Sequence, residues 1–255
     1  MLNAVAYRLS LLLRGQPKES ILEAALEFPI ELDEADRHIA QHIFDNSLTM
    51  TSRKRIYATL LACHHATSAG LVGDFVECGV WRGGNAIAAA DVFARRNRNS
   101  KVYLFDTFAG MTAPTEHDVA NANGELALAQ YERDQRDSHN EWCYASLEDV
   151  RNNFKNAGVL CDNVRFVKGD VLESLSRDKD LPDEISVLRL DTDWYESTKK
   201  ELEVLWPRLV SGGILMIDDY GYWGGAKKAV DEFFAERTRP FFSYIDHTGR
   251  LAVKR

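Results

Sequence analysis

No apolar run in this 255-residue chain is long enough to cross a bilayer, and no basic block interrupts it. The nearest approach, the opening MLNAVAYRLSLLLRG, is broken by Arg8 and followed by no small-residue cleavage site, which argues against both a signal peptide and a membrane span. It reads instead as an amphipathic helix packing on the body of the protein or on a second copy. A homo-oligomer joined through N-terminal helices is therefore expected. Positive charge is in the minority, with 31 Lys and Arg against 39 Asp and Glu and a net charge of −8. That balance excludes phosphate-backbone binding as the main business, and with it a nucleic-acid partner. Small molecules remain open. Cysteine is scarce and scattered: Cys63, Cys78, Cys143 and Cys161 form no CxxC pair and no Cys/His cluster. Such spacing suits reduced thiols in a cytoplasmic protein.

What is present is an alternation. Residues 1–70 read as a helical extension of the same unit, with apolar residues at helical spacing over Ser20–Phe28, Glu34–Phe44 and Ser52–Ala69. Beyond them, short apolar and β-branched runs occur at Asp74–Gly79, Lys101–Asp106, Asn163–Lys168, Ile185–Asp191 and Gly213–Asp218. Helical stretches at Asn85–Arg96, Leu147–Ala157, Ser197–Trp206 and Ala226–Glu236 separate most of them. Strands that apolar have no wet face, so the pattern predicts a doubly wound, mostly parallel α/β sheet covered on both sides, over residues 71–255. Phe242–Arg255 carries two extended runs around His247-Thr248-Gly249, where the glycine can supply a left-handed hairpin turn. An antiparallel C-terminal hairpin brings the expected strands to seven. The stretch 109–141, rich in Asn, Asp, Glu and Gln, is too long for a plain connection and reads as a lid with a short helix near Glu125–Arg133.

Ligands of such sheets bind beyond the carboxyl ends of the strands. The first strand ends in Glu77-Cys78-Gly79-Val80-Trp81-Arg82-Gly83-Gly84, where glycines admit a close backbone approach and a helix N-terminus faces the ligand. The spacing is not G-x-G-x-x-G, so it suits a smaller anion than pyrophosphate, such as a methionine carboxylate. Asp106, at the second strand tip, can accept from a ribose diol, or else cap a helix. Asp170, after the third, can accept from an adenine amino group, or else serve a simple turn. Trp142 can stack on that base or belong to the core. Strands four and five end in Asp191-Thr192-Asp193 and Asp218-Asp219. If they are neighbours, their tips lie about 5 Å apart, and the crowded carboxylates call for a cation. Oxygen-only ligation favours magnesium, with Asp191, Asp218 and Asp219 as ligands provided the chain bends near Gly221. Asp193 is the first candidate for a base and His247 the second. The competing reading makes Asp193 a cap for the helix near Ser197 and Asp219 a cap for the one near Gly225.

Taken together, DFVECGVWRGG, LFDTFAGM, WCYASLEDV, LRLDTDWYEST, GGILMIDDYGYWGGAKKAVDEFF and IDHTGR resemble the macrocin O-methyltransferase family from about Thr49 to Lys254. The resemblance implies a Rossmann-like methyltransferase fold, S-adenosylmethionine, Mg2+ and an acceptor that is a sugar hydroxyl of a glycosylated small molecule or glycan. It implies the same metal ligands and base, a cofactor pocket lined by Glu77, Gly79, Asp106 and Asp170, and an approach of Met50, Thr51 and Arg55 from the preceding helix. Many members have tyrosine in place of His247. Methylation of a catechol-type phenol and a non-catalytic cofactor-fold protein are the alternatives. Several candidates are set aside: His38 with His42 lacks a third ligand and, with Asp36 and Gln41, reads as a wet face. His64-His65 cannot face one site, Lys227-Lys228 reads as solvated, and Phe233-Phe234 and Phe241-Phe242 read as core.

Overall fold

The structure, a computed structural model, describes residues 28–96, 98–120 and 122–255. The amphipathic opening segment and all but the last residue of the helix expected at Ser20–Phe28 lie outside the described residues. Two helices come first, α1 (Glu34–Asp45) and α2 (Arg53–Ser68). Asp33 and Asp36 start α1 with a reciprocal capping box, each accepting from the other's backbone N–H. Asp36 is buried as well, against His64 and Arg95, so the face of α1 that reads as wet is partly an internal ion-pair site.

The strands β1 (Asp74–Cys78), β2 (Val102–Asp106), β3 (Val164–Lys168), β4 (Ile185–Leu190) and β5 (Leu209–Ile217) run parallel. With the hairpin strands β6 (Ser243–Tyr244) and β7 (Arg250–Val253) they form one seven-stranded sheet in the order β3-β2-β1-β4-β5-β7-β6. Strand β7 is antiparallel to β5 and closes that side. Between the strands lie α3 (Gly84–Arg95), α4 (Leu128–Asp134), α5 (Leu147–Asn156), the short α6 (Val171–Ser174), α7 (Tyr195–Leu205) and α8 (Gly224–Phe233). Alternate strand residues enter two different cores. Phe75, Leu104, Val187 and Ile214 pack with α1, α2 and α3 on one face, while Val76, Phe105, Leu188 and Leu215 pack with α7 and α8 on the other. Burying each such side chain contributes about 1.5–3 kcal/mol, which is why apolar strands with a period of two commit to this doubly covered sheet. At the edge, β3 is half wet, with Arg165 and Lys168 exposed. Among the described residues no helix is long and apolar enough to cross a membrane.

Two local expectations are corrected. The hairpin turn is not made by a left-handed glycine, since Gly249 does not have a positive φ. It is made by Asp246, whose Oδ1 accepts from the backbone N–H groups of Thr248 (3.0 Å) and Gly249 (2.8 Å). Phe241 is not core: it is 81 % exposed, while Phe233 and Phe234 are buried.

Strand tips meet closely where the chain leaves the sheet. The amide of Asp191 donates to Cys78 O and that of Asp218 to Leu190 O, both at 2.9 Å, extending the ladders by one step past each strand. Gly79 crosses this junction at φ +79°, and a Cβ there would come within 1.9 Å of the Asp191 carbonyl oxygen. Gly79→Ala should therefore lose about 1–3 kcal/mol to backbone strain alone, with the clash in addition. A urea midpoint equal to that of the unaltered protein would contradict this packing of the tips.

Candidate active site

A cleft of about 520 Å³ opens over the carboxyl ends of β1, β2, β4 and β5, a volume suited to a cofactor-sized molecule. Met50, Thr51, Arg55, Glu77, Gly79, Asp106, Trp142, Asp170, Asp191, Asp193, Asp218 and Asp219 all line it. His247 does not. It is exposed at the hairpin turn, with its backbone against Gly221. Met50 and Thr51 belong to the loop ahead of α2 and not to a helix, and Arg55 lies in the first turn of α2.

At one end of the cleft, Asp106 Oδ2 accepts from the amides of Val80 (2.6 Å) and Trp81 (3.2 Å), and Oδ1 from Phe108 (2.6 Å). Asp106 thereby shapes the loop after β1 while its carboxylate lines the cleft. Burial raises its pKa, and those amides work against the rise. Asp170 starts α6 by accepting from Leu172 N at 2.9 Å. The α3 N-terminus, begun by Gly83, has no side-chain cap.

The other end is acidic. Glu77 and Arg189 are register partners on β1 and β4. Arg189, 1 % exposed, donates through Nη1 to Glu77 Oε1 (2.6 Å) and Asp191 Oδ2 (2.7 Å), and through Nη2 to Asp218 Oδ1. Arg55 holds the other Asp218 oxygen through Nη1, and its remaining donors reach Asp246 and Thr248 in the hairpin turn. Against the effect of burial, the Ser52 hydroxyl, the Gly249 amide and then the Arg55 guanidinium hold the carboxylate of Asp246 well below the usual range. One oxygen each from Asp191, Asp193 and Asp219 lie within 4.8 Å of one another. In the expected trio Asp218 stood where the side chains bring Asp193; Asp218 is turned to the two arginines. Asp193 and Asp219 make no ion pair with an arginine or lysine among the described residues, and Asp219 Oδ2 is buried with no partner.

Neither aspartate acts as a side-chain cap. The N-cap of α7 is Trp194 and that of α8 is Trp223, and neither helix start has a side-chain cap bond from Asp193 or Asp219; Asp219 serves α8 only through its carbonyl, which accepts from Trp223 N at 3.1 Å. Burial raises the pKa of Asp191 to about 6 and of Asp193 to about 7, and repulsion between neighbours adds to it. Asp218 and Asp219 are raised for the same first reason. Arg189 is pulled the opposite way by burial, but Asp191, Asp218 and Glu77 more than offset it and hold it charged. Such a set of buried oxygens, two of them short of positive charge, fits a hard divalent cation.

Sequence reasoning passed over Arg189, Glu201, Asp246 and Asp118. A charged residue inside ISVLRL was the available signal for the first. Glu201, on α7, is fully buried, accepts from Thr192 Oγ1 at 2.8 Å, and so braces the loop between Asp191 and Asp193. Nothing in the helical spacing of α7 marks it. The candidates set aside stay apart: His64 meets Asp36, His65 meets Gly212 O, and Lys227 and Lys228 pair with Asp231 and Glu232.

A seven-stranded sheet of this order, with its one antiparallel strand beside β5 and its cleft over the strand tips, is the fold of the S-adenosylmethionine-dependent methyltransferases. Within that class, the chain matches the family described as Macrocin-O-methyltransferase (TylF) over residues 16–251. It is 34 % identical over 193 residues to demethyldecarbamoylnovobiocin O-methyltransferase of Streptomyces niveus, covering 75 % of this chain and 69 % of that protein. It is 36 % identical over 176 residues to a 4′-O-methyltransferase of Streptomyces olivaceus that acts on a rhamnosyl-bearing tetracenomycin C, covering 68 % and 62 %. The solved structure of the O-methyltransferase NovP superposes with a TM-score of 0.71 at 31 % identity, over 81 % of each chain. The chain belongs to the macrocin O-methyltransferase family and is an S-adenosylmethionine-dependent O-methyltransferase.

Burial lifts the carboxyl of Glu201 from 4.5 to about 8. It therefore binds its proton more tightly in the folded chain, and this stabilisation is present below pH 4.5 and lost as pH rises through about 8. In chelator-treated protein Glu201→Gln should make the fall in stability across that window shallower, by up to about 1.4 kcal/mol per pH unit. Parallel stability–pH curves for the two proteins would place the ionised form in the core instead.

Proposed function

We propose that this protein transfers the methyl group of S-adenosylmethionine to a sugar hydroxyl of an uncharged glycosylated small molecule. In this reading magnesium is held by Asp191, Asp218 and Asp219, and Asp193 is the base. The reading rests above all on the buried acidic cluster with its unpartnered Asp219 Oδ2. Asp193 is one of its three members and Asp218 lies beside it, and their surroundings divide the roles. Asp218 lies between two guanidinium groups, which favour its ionised form and suit a ligand. Asp193 has no such neighbours and, lying beside Asp191 and Asp219, is placed to take a proton from a hydroxyl held there.

Magnesium, when bound, would lower the pKa of an acceptor hydroxyl and fix its direction. Asp193 would take the hydroxyl proton as the oxygen bonds the methyl carbon and the carbon–sulfur bond breaks, leaving S-adenosylhomocysteine and a methyl ether. Gly79, Asp106, Asp170 and the loop Met50–Thr51 would seat the cofactor, with its methionine end towards Glu77 and the α3 N-terminus. Trp142, Trp194 and Trp223, with centroids 5.1–6.0 Å apart, wall the acidic end and keep water out.

The lining also speaks to the acceptor. Among the described residues of the cleft Arg55 alone is cationic, and its donors are committed to Asp246, Asp218 and Thr248. A phosphorylated sugar would find no uncommitted basic side chain there. Met111, Trp142, Trp223 and the half-exposed Tyr222 instead offer apolar faces to a ring. The acceptor of the Streptomyces olivaceus relative is a rhamnosyl-bearing tetracenomycin C, and a sugar ring of that kind fits the same wall. A cytoplasmic setting fits the four unpaired cysteines, and contact between copies through the N-terminal segment completes the reading.

S-adenosylhomocysteine should raise the melting temperature, and magnesium should raise it further in a chelator-reversible way. No shift with S-adenosylhomocysteine would overturn the reading. Asp191→Asn should abolish turnover, by about a hundredfold or more, with S-adenosylhomocysteine affinity within a few-fold; retained turnover would remove the metal role. Labelled methyl transfer onto deoxysugar glycosides, and not onto catechols or nucleotide sugars, is the expected acceptor profile.

A further inference from the structure

Asp118 lies in the insertion 109–141, far in sequence from the acidic loops, yet it is fully buried with no ion-pair partner among the described residues. Its oxygens are all used. Oδ2 accepts from Thr115 N (2.6 Å) and Thr115 Oγ1 (2.9 Å), within the insertion. Oδ1 accepts from the amide of Tyr195 at 2.8 Å, the first residue of α7, two positions after Asp193. An eleven-residue helix thus has its start capped not by its own Trp194 but by a carboxylate from the insertion. Gly225, at the start of α8, makes room: a Cβ there would sit 1.9 Å from Asp118 Oδ1. The neighbouring backbone is fastened as well, with Gly224 N donating to Val119 O (2.8 Å), Ala120 bridging Trp223, and the Trp194 indole donating to Thr112 O (3.0 Å).

We infer that Asp118 is a positioning residue that sets the acceptor-facing wall of the cleft against the loops bearing Asp193 and Asp219. The proximal arm of the insertion is then a fixed wall and not a swinging lid. Met111 and Thr112, just before Asp118, take their place in the cleft from this clamp, and so does the Trp142–Trp194–Trp223 group. The inference rests on the acceptor being bound at the acidic end of the cleft. The proposed cofactor contacts at Gly79, Asp106 and Asp170 lie at the carboxyl ends of β1–β3 and do not depend on it.

Asp118→Asn is the informative variant because it keeps shape. Its amide oxygen can still accept from Tyr195 N, while its NH2 group then faces the two donors of Thr115. The acceptor KM should rise about tenfold or more, with S-adenosylhomocysteine Kd within twofold and kcat falling less than the KM rises. Trypsin should cut faster at Arg133 and Arg136. Thr115→Val, which removes one donor from the clamp, should shift KM in the same direction by a smaller factor. An unchanged acceptor KM in Asp118→Asn, or an equal weakening of cofactor and acceptor, would overturn the assignment. If the unaltered protein binds S-adenosylhomocysteine but methylates no glycoside, the acceptor reading fails instead. Faster proteolysis with unaltered cofactor binding would then still support the clamp.

Discussion

Five carboxylates, those of Glu77, Asp191, Asp193, Asp218 and Asp219, meet at the tips of three adjacent parallel strands, and the design follows from how that charge is held. Left in a buried site, they would take up protons or push the strands apart. Arg189 prevents this from inside the sheet, reaching three of them from a position where the strand pattern calls for an apolar side chain. A buried arginine of this kind is costly to desolvate, and its value lies in fixing geometry more than in adding stability. Its reach stops at Asp193 and Asp219. The asymmetry between balanced and unbalanced carboxylates is what turns a cluster of acids into a site.

The second cation, Arg55, carries the arrangement outward. It stands on α2 and grips both the β5 tip and the hairpin turn, through Asp218, Asp246 and Thr248. The N-terminal helices and the closing hairpin are thereby tied to the same few ångströms of the sheet edge as the chemistry. Asp118 makes a comparable tie from the insertion, through the α7 start. Three segments distant in sequence reach the acidic loops, each through a polar group that a core position does not ordinarily accept.

Much of the fold was legible because it depends on local regularities. Period-two apolar strands and period-3.6 helices predicted each major element to within a few residues, and the paired aspartates marked where strands four and five come together. The hidden parts were long-range polar contacts. Asp246 was missed because the hairpin looked like a glycine turn, and only the fold brings Arg55 to it. Asp36 read as wet because its partners, His64 and Arg95, come from other helices. Asp118 sat among the acidic and amide residues of an insertion whose composition resembles solvent-facing loop. Periodicity sees which way a residue faces along its own element; it is blind to a partner from elsewhere.

The aromatic wall has a spectroscopic consequence. Of the five tryptophans, Trp81, Trp142 and Trp223 line the cleft and Trp194 packs on the last two, while Trp206 sits apart against Phe233 and Phe234. The intrinsic emission of this protein is therefore concentrated at the site itself. An adenine or sugar ring entering the cleft would change it without any label, and the chain carries its own optical record of occupancy.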